Sequence, residues 1–185
     1  NSLTKKDSVL VADYDHGLIS SNFAKILEKK KKIFLNTQIN ASNLGFHNLK
    51  KFKNINTLVI NEKELRHEYR SRFDDLHKLA KRMILERNIT NLIVTRGSSG
   101  SLYAFKRKNV IKIIECPSFA VNVLDKIGAG DTMLAIICLC IKNKVPNDLS
   151  IFLGSLIGAM SVQQYANKEP VKYENFLRTI EFTLK

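Results

Sequence analysis

The sequence predicts an α/β fold with a doubly wound, mainly parallel sheet and helices on both faces. Short apolar runs rich in β-branched residues recur along the first half of the chain, and segments with helical periodicity lie between them. Continuous apolar runs are typical of strands buried on both faces, and strand–helix alternation is typical of parallel sheets. Because the chain has 185 residues, we expect a single domain over residues 1–185.

Four apolar runs are predicted strands: VLVAD (9–13), KIFLNT (32–37), TLVIN (57–61) and NLIVTR (91–96). The segment SNFAKILEKK (21–30) has helical spacing and places Phe23, Ile26 and Leu27 on one face. The segment RFDDLHKLAKRMILER (72–87) is also predicted to be helical. Its apolar face would consist of Phe73, Leu76, Leu79, Ala80, Met83 and Ile84.

The pattern changes after residue 100. The segment SLYAFKRKNVIKIIECP predicts two short strands around a charged turn at Lys106–Asn109. The last third of the chain is predicted to be mostly helical, over Gly130–Asn143, Asn147–Ala166 and Tyr173–Leu184.

Charge and cysteine content narrow the classes of partner. The net charge is +13, but the densest lysine run closes a predicted helix, and no aromatic residues interleave with it to stack on bases. We therefore expect a solvated basic surface that attracts anionic small substrates, rather than a nucleic-acid interface. Cys116, Cys138 and Cys140 have no metal spacing and suggest reduced, buried thiols in the cytoplasm. Neither a signal peptide nor a membrane span is expected.

The sequence GAGD, Gly128–Asp131, lies directly before an apolar helix. Small residues allow backbone N–H groups to approach a ligand closely, and the start of a helix favours an anion. Two interpretations of Asp131 remain equally balanced from local sequence. Its carboxylate could complement the helix dipole, or it could act as the base for a hydroxyl that attacks phosphorus.

Three other loops follow predicted strands. In NEKE, Asn61 and Glu64 fit a capping box, which is the favoured interpretation, although their oxygens could also hold hydrated Mg²⁺. TRGSSG (95–100) could be a tight turn or a loop that passes a nucleotide phosphate. ADYDHG (12–17), with Asp13, fits a strand-to-helix turn as well as an acid–base or metal site. In a parallel sheet these loops would gather with GAGD at one carboxyl edge, where ligands bind.

These motifs together resemble those of the ribokinase (PfkB) family of carbohydrate kinases. VLDKIGAGDTML resembles the family's C-terminal signature, INEKE its Asn-x-x-Glu motif and VTRGSSGSLYAF its nucleotide loop. VLVADYDHGLIS resembles the corresponding strand and turn of heptose-phosphate kinase relatives. FLNTQINASNLGFHNLKKF is similar to kinase domains fused to nucleotidyltransferase domains in surface-saccharide synthesis. The resemblance implies a ribokinase-like fold and the use of ATP and Mg²⁺.

The resemblance also implies roles for individual residues. Asp131 would be the catalytic base, and Gly128, Ala129 and Gly130 would form the anion hole. Asn61 and Glu64 would organise Mg²⁺ through water, and Asp13 would lie on the substrate side. The nucleotide would be bordered by Thr95, Gly97, Gly100, Gly158 and Asn167. Asp125 and the carbonyl of Ile127 would lie near a monovalent-cation (K⁺) site, although Lys126 and Ile127 stand where the family often has two Thr residues.

We expect the chain to be the C-terminal part of a longer kinase, because the small β-sheet lid and Gly-Gly motif of the family are not found in it. The parent would carry that lid and a nucleotidyltransferase domain, could dimerise through the lid, and would phosphorylate a sugar or phosphosugar such as a heptose phosphate. The chain alone would be inactive. The alternative is a nucleotide-binding or regulatory module without catalysis.

Overall fold

The computed structural model describes residues 8–30, 32–39, 49–121, 123–163 and 170–185. Its centre is a six-stranded sheet in which the strands lie side by side in chain order. The strands are β1 Ser8–Asp13, β2 Lys32–Thr37, β3 Ile55–Asn61, β4 Asn91–Thr95, β5 Ser101–Arg107 and β6 Val110–Cys116. The pairs from β1 to β4 are parallel, and the pairs β4–β5 and β5–β6 are antiparallel.

Helices cover both faces of the sheet, which confirms the predicted fold class. They are α1 Ser21–Lys30, α2 Glu62–Glu68, α3 Leu76–Arg87, α4 Ala129–Lys142, α5 Asn147–Ser161 and α6 Tyr173–Thr183. One buried cluster joins α1, α2 and α3 to the sheet through side chains such as Ala24, Leu65 and Met83. A second cluster joins α4 and α5 to the opposite face, where Ile137 and Ile151 meet Phe34 and other strand residues.

The predicted hairpin is confirmed, and its turn lies at residues 108–109 between β5 and β6. The three C-terminal helices are also confirmed, although α5 ends at Ser161 and the last part of its predicted range lies outside the described residues. The three cysteines are free and buried, as expected. Among the described residues, no helix is both long and apolar enough to cross a membrane.

Some local expectations were wrong. The predicted burial of β1 on both faces fails, since Leu10 is 46% exposed at the edge of the sheet. Phe73 does not belong to the apolar face of α3, because Asp75 caps that helix and leaves Phe73 before it, 95% exposed. On α1, Phe23 and Ile26 are about half exposed, and the fully buried residue is the smaller Ala24.

Candidate active site

The GAGD segment forms the start of α4, and the structure explains both of its glycines. Gly128 is the N-cap with a φ of 78°, a left-handed conformation that glycine adopts without steric cost. A Cβ on Gly130 would lie 2.7 Å from Nδ2 of Asn36, a buried side chain of β2 that donates to the carbonyl of Val59. The start of α4 is therefore held tightly against the carboxyl ends of the strands.

Backbone N–H groups in the first turn of α4 have no intrahelical partner by geometry. The first intrahelical bond is donated by Thr132 N to the Gly128 carbonyl, at 2.9 Å, and the Thr132 hydroxyl donates to the same oxygen. Ala129 N donates to the Lys126 carbonyl at 3.5 Å, and the helix dipole favours an anion at this end of α4. The geometry is compatible with the predicted anion hole at Gly128, Ala129 and Gly130.

Asp131, in the first turn of α4, is joined to the loop after β1. The hydroxyl of Tyr14 donates a 2.6 Å hydrogen bond to Asp131 Oδ2. Asp131 Oδ1 is buried and has no hydrogen-bond partner among the described residues. The hydrogen bond to Asp131, with burial, raises the pKa of Tyr14 to about 12, so the phenol remains a donor at neutral pH. One carboxylate oxygen is thus fixed and the other keeps its acceptor capacity.

The turn that carries Tyr14 is held by a buried lysine. Lys51 Nζ lies 2.6 Å from both Asp13 Oδ2 and Asp15 Oδ1, and the Lys51 and Asp13 side chains are only 8% and 4% exposed. Asp13 Oδ1 also accepts from the backbone N–H of Asp15, whose φ of 56° is left-handed. Burial lowers the pKa of Lys51, but hydrogen bonds to the two carboxylates raise it more, so the ammonium stays charged.

Asn61 and Glu64 form the capping box that the sequence favoured. Asn61 Oδ1 accepts from Glu64 N at 2.9 Å, and Glu64 Oε2 accepts from Asn61 N at 2.7 Å. Glu64 Oε1 accepts from Ile39 N, and burial raises the pKa of this carboxyl. Each of these oxygens retains a lone pair, so the pair fits water-mediated contact with a metal. In the described part of the chain no cluster of three acidic, His or Cys side chains could ligate one directly.

The predicted nucleotide loop lies beside this capping box. Thr95, at the end of β4, is in register with Asn61 on β3. Gly97 has a φ of 59° and open space where a Cβ would be. Gly100 has a φ of 82°, and a Cβ there would lie 2.1 Å from the Cys116 carbonyl oxygen. Glycine is therefore needed at position 100 both for its positive φ and for close packing against the end of β6.

The end of α5 approaches the GAGD segment from the other side. The carbonyl of Val162 accepts from the N–H groups of Leu124 and Asp125, at 2.8 and 3.1 Å. The Asp125 carboxylate in turn accepts from Ile127 N at 2.9 Å. Gly158 faces the carbonyl of Ala129 at the start of α4. Asn167 lies outside the described residues. A cavity of about 360 Å³ lies beside this end of α5, with Met160 in its wall.

The structure brings Asp13, Asn61, Thr95 and Asp131 to one edge of the sheet, as the loop positions predicted. Sequence reasoning missed Tyr14, Lys51 and Asn36. Tyr14 stands between two aspartates in ADYDHG, and Asn36 is an amide within an otherwise apolar strand, so both carried a signal. Lys51 carried none, because lysine is abundant in this chain and its contacts with Asp13 and Asp15 depend on the tertiary fold.

Comparison with known proteins decides the family. Residues 7–172 match the pfkB family carbohydrate kinase. The chain belongs to this family. Sugar kinases of the pfkB family are phosphotransferases, and a curated relative that matches is the bifunctional protein HldE of Koribacter versatilis (strain Ellin345). It is 22% identical over 176 residues, which cover 93% of this chain and 35% of HldE. The chain thus spans about a third of that relative's length.

Solved pfkB-family structures share the fold. Ribokinase from Thermotoga maritima superposes with a TM-score of 0.71 at 20% identity, over 93% of this chain and 56% of the ribokinase. Ribokinase from Arabidopsis thaliana, complexed with ribose and ATP, superposes with a TM-score of 0.70 at 18% identity, over 96% of this chain and 57% of that ribokinase. Phosphofructokinase-2 from Escherichia coli, in complex with substrates and products, superposes with a TM-score of 0.71 at 15% identity, over 89% of this chain and 52% of the phosphofructokinase.

Proposed function

We propose that the protein transfers the γ-phosphoryl group of ATP to a hydroxyl of a sugar or phosphosugar, with Asp131 as the base. The observation that carries this proposal is the position of Asp131, beside the first-turn N–H groups of α4 and at the carboxyl edge of the sheet. The acceptor oxygen would form its bond to phosphorus as the bond to the leaving ADP oxygen breaks, and its proton would pass to Asp131.

Positioning and charge would supply most of the rate acceleration. The N–H groups at Gly128, Ala129 and Gly130 would bind the transferring phosphoryl oxygens, where the helix dipole already favours negative charge. Thr95, Gly97 and Gly100 would lie along the nucleotide phosphates. Gly158 and Asn167 would border the adenine, and Gly158 faces the Ala129 carbonyl at the start of α4.

Mg²⁺ would neutralise charge on the phosphates when bound. Asn61 and Glu64 would hold its waters, because their oxygens lie at the strand ends and retain lone pairs while the capping box is intact. Asp125 and the carbonyl of Ile127 would border a K⁺ site. There the Asp125 carboxylate already accepts from Ile127 N, which holds the loop in a compact turn. Asp13, at the end of β1, would lie on the acceptor side.

A heptose phosphate for surface-saccharide synthesis is the proposed acceptor, as the resemblance of VLVADYDHGLIS to heptose-phosphate kinase relatives implies, and HldE is a curated relative that matches the chain. In the proposed full-length protein, a lid and a nucleotidyltransferase domain accompany this chain and the lid supports a homodimer. The exposed Leu10 at the β1 edge supports coverage by such a segment. Without the lid, the chain alone would be inactive. ATP as donor and three free thiols support a cytoplasmic location.

The test compares two first-turn aspartates in the full-length protein. Asp131→Asn should reduce kcat for phosphoryl transfer by about 10³-fold, because the base is lost, while ATP affinity stays within about 2-fold. Asp148→Asn is the matched control, since Asp148 also lies in the first turn of a helix, α5. It should keep wild-type turnover. Near-normal turnover of the Asp131→Asn variant would refute the proposal.

The second candidate is a nucleotide-binding or regulatory module without catalysis. The observation that favours it is the Lys126–Ile127 pair within the signature, where the resemblance expects two Thr residues. A phosphotransfer assay of the full-length protein against heptose and hexose phosphates separates the two functions. Measurable ATP binding without turnover on any acceptor would favour the module.

A further inference from the structure

Asp131 and Tyr14 are 117 positions apart in the chain, yet their side chains meet at 2.6 Å. The contact joins the first turn of α4 to the turn after β1. Because the last torsion of an aspartate side chain is broad, the backbone of α4 alone does not fix the orientation of the carboxylate plane. A short hydrogen bond to one oxygen does fix it.

The turn that presents Tyr14 is built to hold one conformation. Lys51 binds the carboxylates of Asp13 and Asp15, which flank Tyr14 on both sides. The Asp13 carboxylate also caps the N–H of Asp15 at 2.9 Å. These ion pairs are partly buried, so Asp13 and Asp15 hold the backbone on both sides of Tyr14 in place.

We propose that Tyr14 is a positioning residue for the base: its hydroxyl fixes Asp131 through Oδ2 and leaves Oδ1 to accept the proton of the acceptor hydroxyl. This inference rests on the proposed kinase function. Oδ1 has no hydrogen-bond partner among the described residues, so its acceptor capacity is unused. Because this oxygen is buried, the acceptor hydroxyl would have to displace the groups that cover it. In the transfer step the acceptor's O–H proton moves to Oδ1, the acceptor oxygen bonds to phosphorus, and ADP leaves.

The test removes only the hydroxyl. In the full-length protein, Tyr14→Phe should lower kcat by about 10- to 100-fold, the effect of one hydrogen bond to a charged group. The KM values for ATP and for the acceptor should stay within about 2-fold, because in this inference the phenol acts only through Asp131. Tyr69→Phe is the control, since its hydroxyl bonds to Glu86 on α3 and it should keep the wild-type kcat.

A second variant tests whether Lys51 acts through Tyr14. Lys51→Met should lower kcat in the wild-type background but add little in the Tyr14→Phe background. Both changes would end in the same effect, the loss of the fixed orientation of the Asp131 carboxylate. Lys53→Met, at an exposed lysine of the same segment, is the control and should leave kcat unchanged. Thermal unfolding of each variant separates loss of fold from loss of positioning.

The outcomes distinguish this inference from the proposed function. If Asp131→Asn is inactive and Tyr14→Phe turns over at the wild-type rate, the positioning role is wrong and the kinase assignment stands. If Tyr14→Phe raises turnover or lowers the acceptor KM, Tyr14 blocks the base, which also overturns the inference. If Asp131→Asn is active, the base assignment itself fails.

Discussion

Gly97 and Gly100 lie in the same loop, and both have positive φ, but their surroundings differ. An alanine at Gly97 would meet open space, whereas one at Gly100 would press into the backbone of Cys116 and Pro117. The two glycines of this loop look equivalent in the sequence but are required for different reasons. At Gly97 only the backbone conformation disfavours a side chain, whereas at Gly100 close packing excludes one as well.

Gly100→Ala should lower the free energy of unfolding by about 3 kcal/mol or more, because its φ of 82° and ψ of −138° lie in a region that L-residues rarely adopt, and the clash with the Cys116 and Pro117 backbone adds to that cost. Gly97→Ala should cost only about 1 kcal/mol. Denaturant unfolding of the two variants measures the difference. Equal losses would contradict the packing role of Gly100.

At the scale of one element, α2 begins with a capping box in which Asn61 and Glu64 satisfy each other's backbone N–H groups. The same two residues are the proposed holders of hydrated Mg²⁺. A cap and a metal contact can be separated experimentally, because a hydroxyl serves the cap but does not reproduce the reach of an amide oxygen.

Asn61→Ala should lower the unfolding free energy by about 1 kcal/mol through loss of the cap, and Asn61→Ser should restore most of that stability. If Asn61 also holds a metal-bound water, the serine variant will need a higher Mg²⁺ concentration for half-maximal activity despite its restored stability. Urea unfolding and Mg²⁺ titration of activity are the measurements. A serine variant with wild-type Mg²⁺ dependence would limit Asn61 to the cap.

At the scale of the whole molecule, the net charge of +13 sets a positive field around the proposed site for ATP. ATP affinity should therefore fall several-fold as ionic strength rises from about 0.05 M to about 0.3 M, because the Debye length shortens across that range. Calorimetric titration with ATP at each salt concentration, at fixed free Mg²⁺, measures this affinity. Affinity that does not change with salt would mean that local contacts alone bind the nucleotide.

Much of this molecule follows from the sequence, because the signals are local. The runs around Leu35, Leu58 and Ile93 predict strands from composition, and GAGD predicts a helix start, which is the start of α4; the anion site there stays a prediction. The wrong details have tertiary causes: β1 lies at a sheet edge, and the Asp75 cap excludes Phe73 from α3. The contacts of Lys51 and Tyr14 were unpredictable, since each joins segments that are distant in the chain.

The chain-order arrangement of the strands has a consequence for synthesis on the ribosome. The layer that joins α1, α2 and α3 to the sheet is complete once β6 has emerged, because Ile111 and Ile113 are the last residues packed against its buried cluster. The opposite face, with Phe34, Val59 and Ile93, stays uncovered until α4 and α5 follow. A nascent chain halted between β6 and α4 would expose that apolar face, so chaperone capture should be strongest there. Asp131 would meet Tyr14 only when α4 docks.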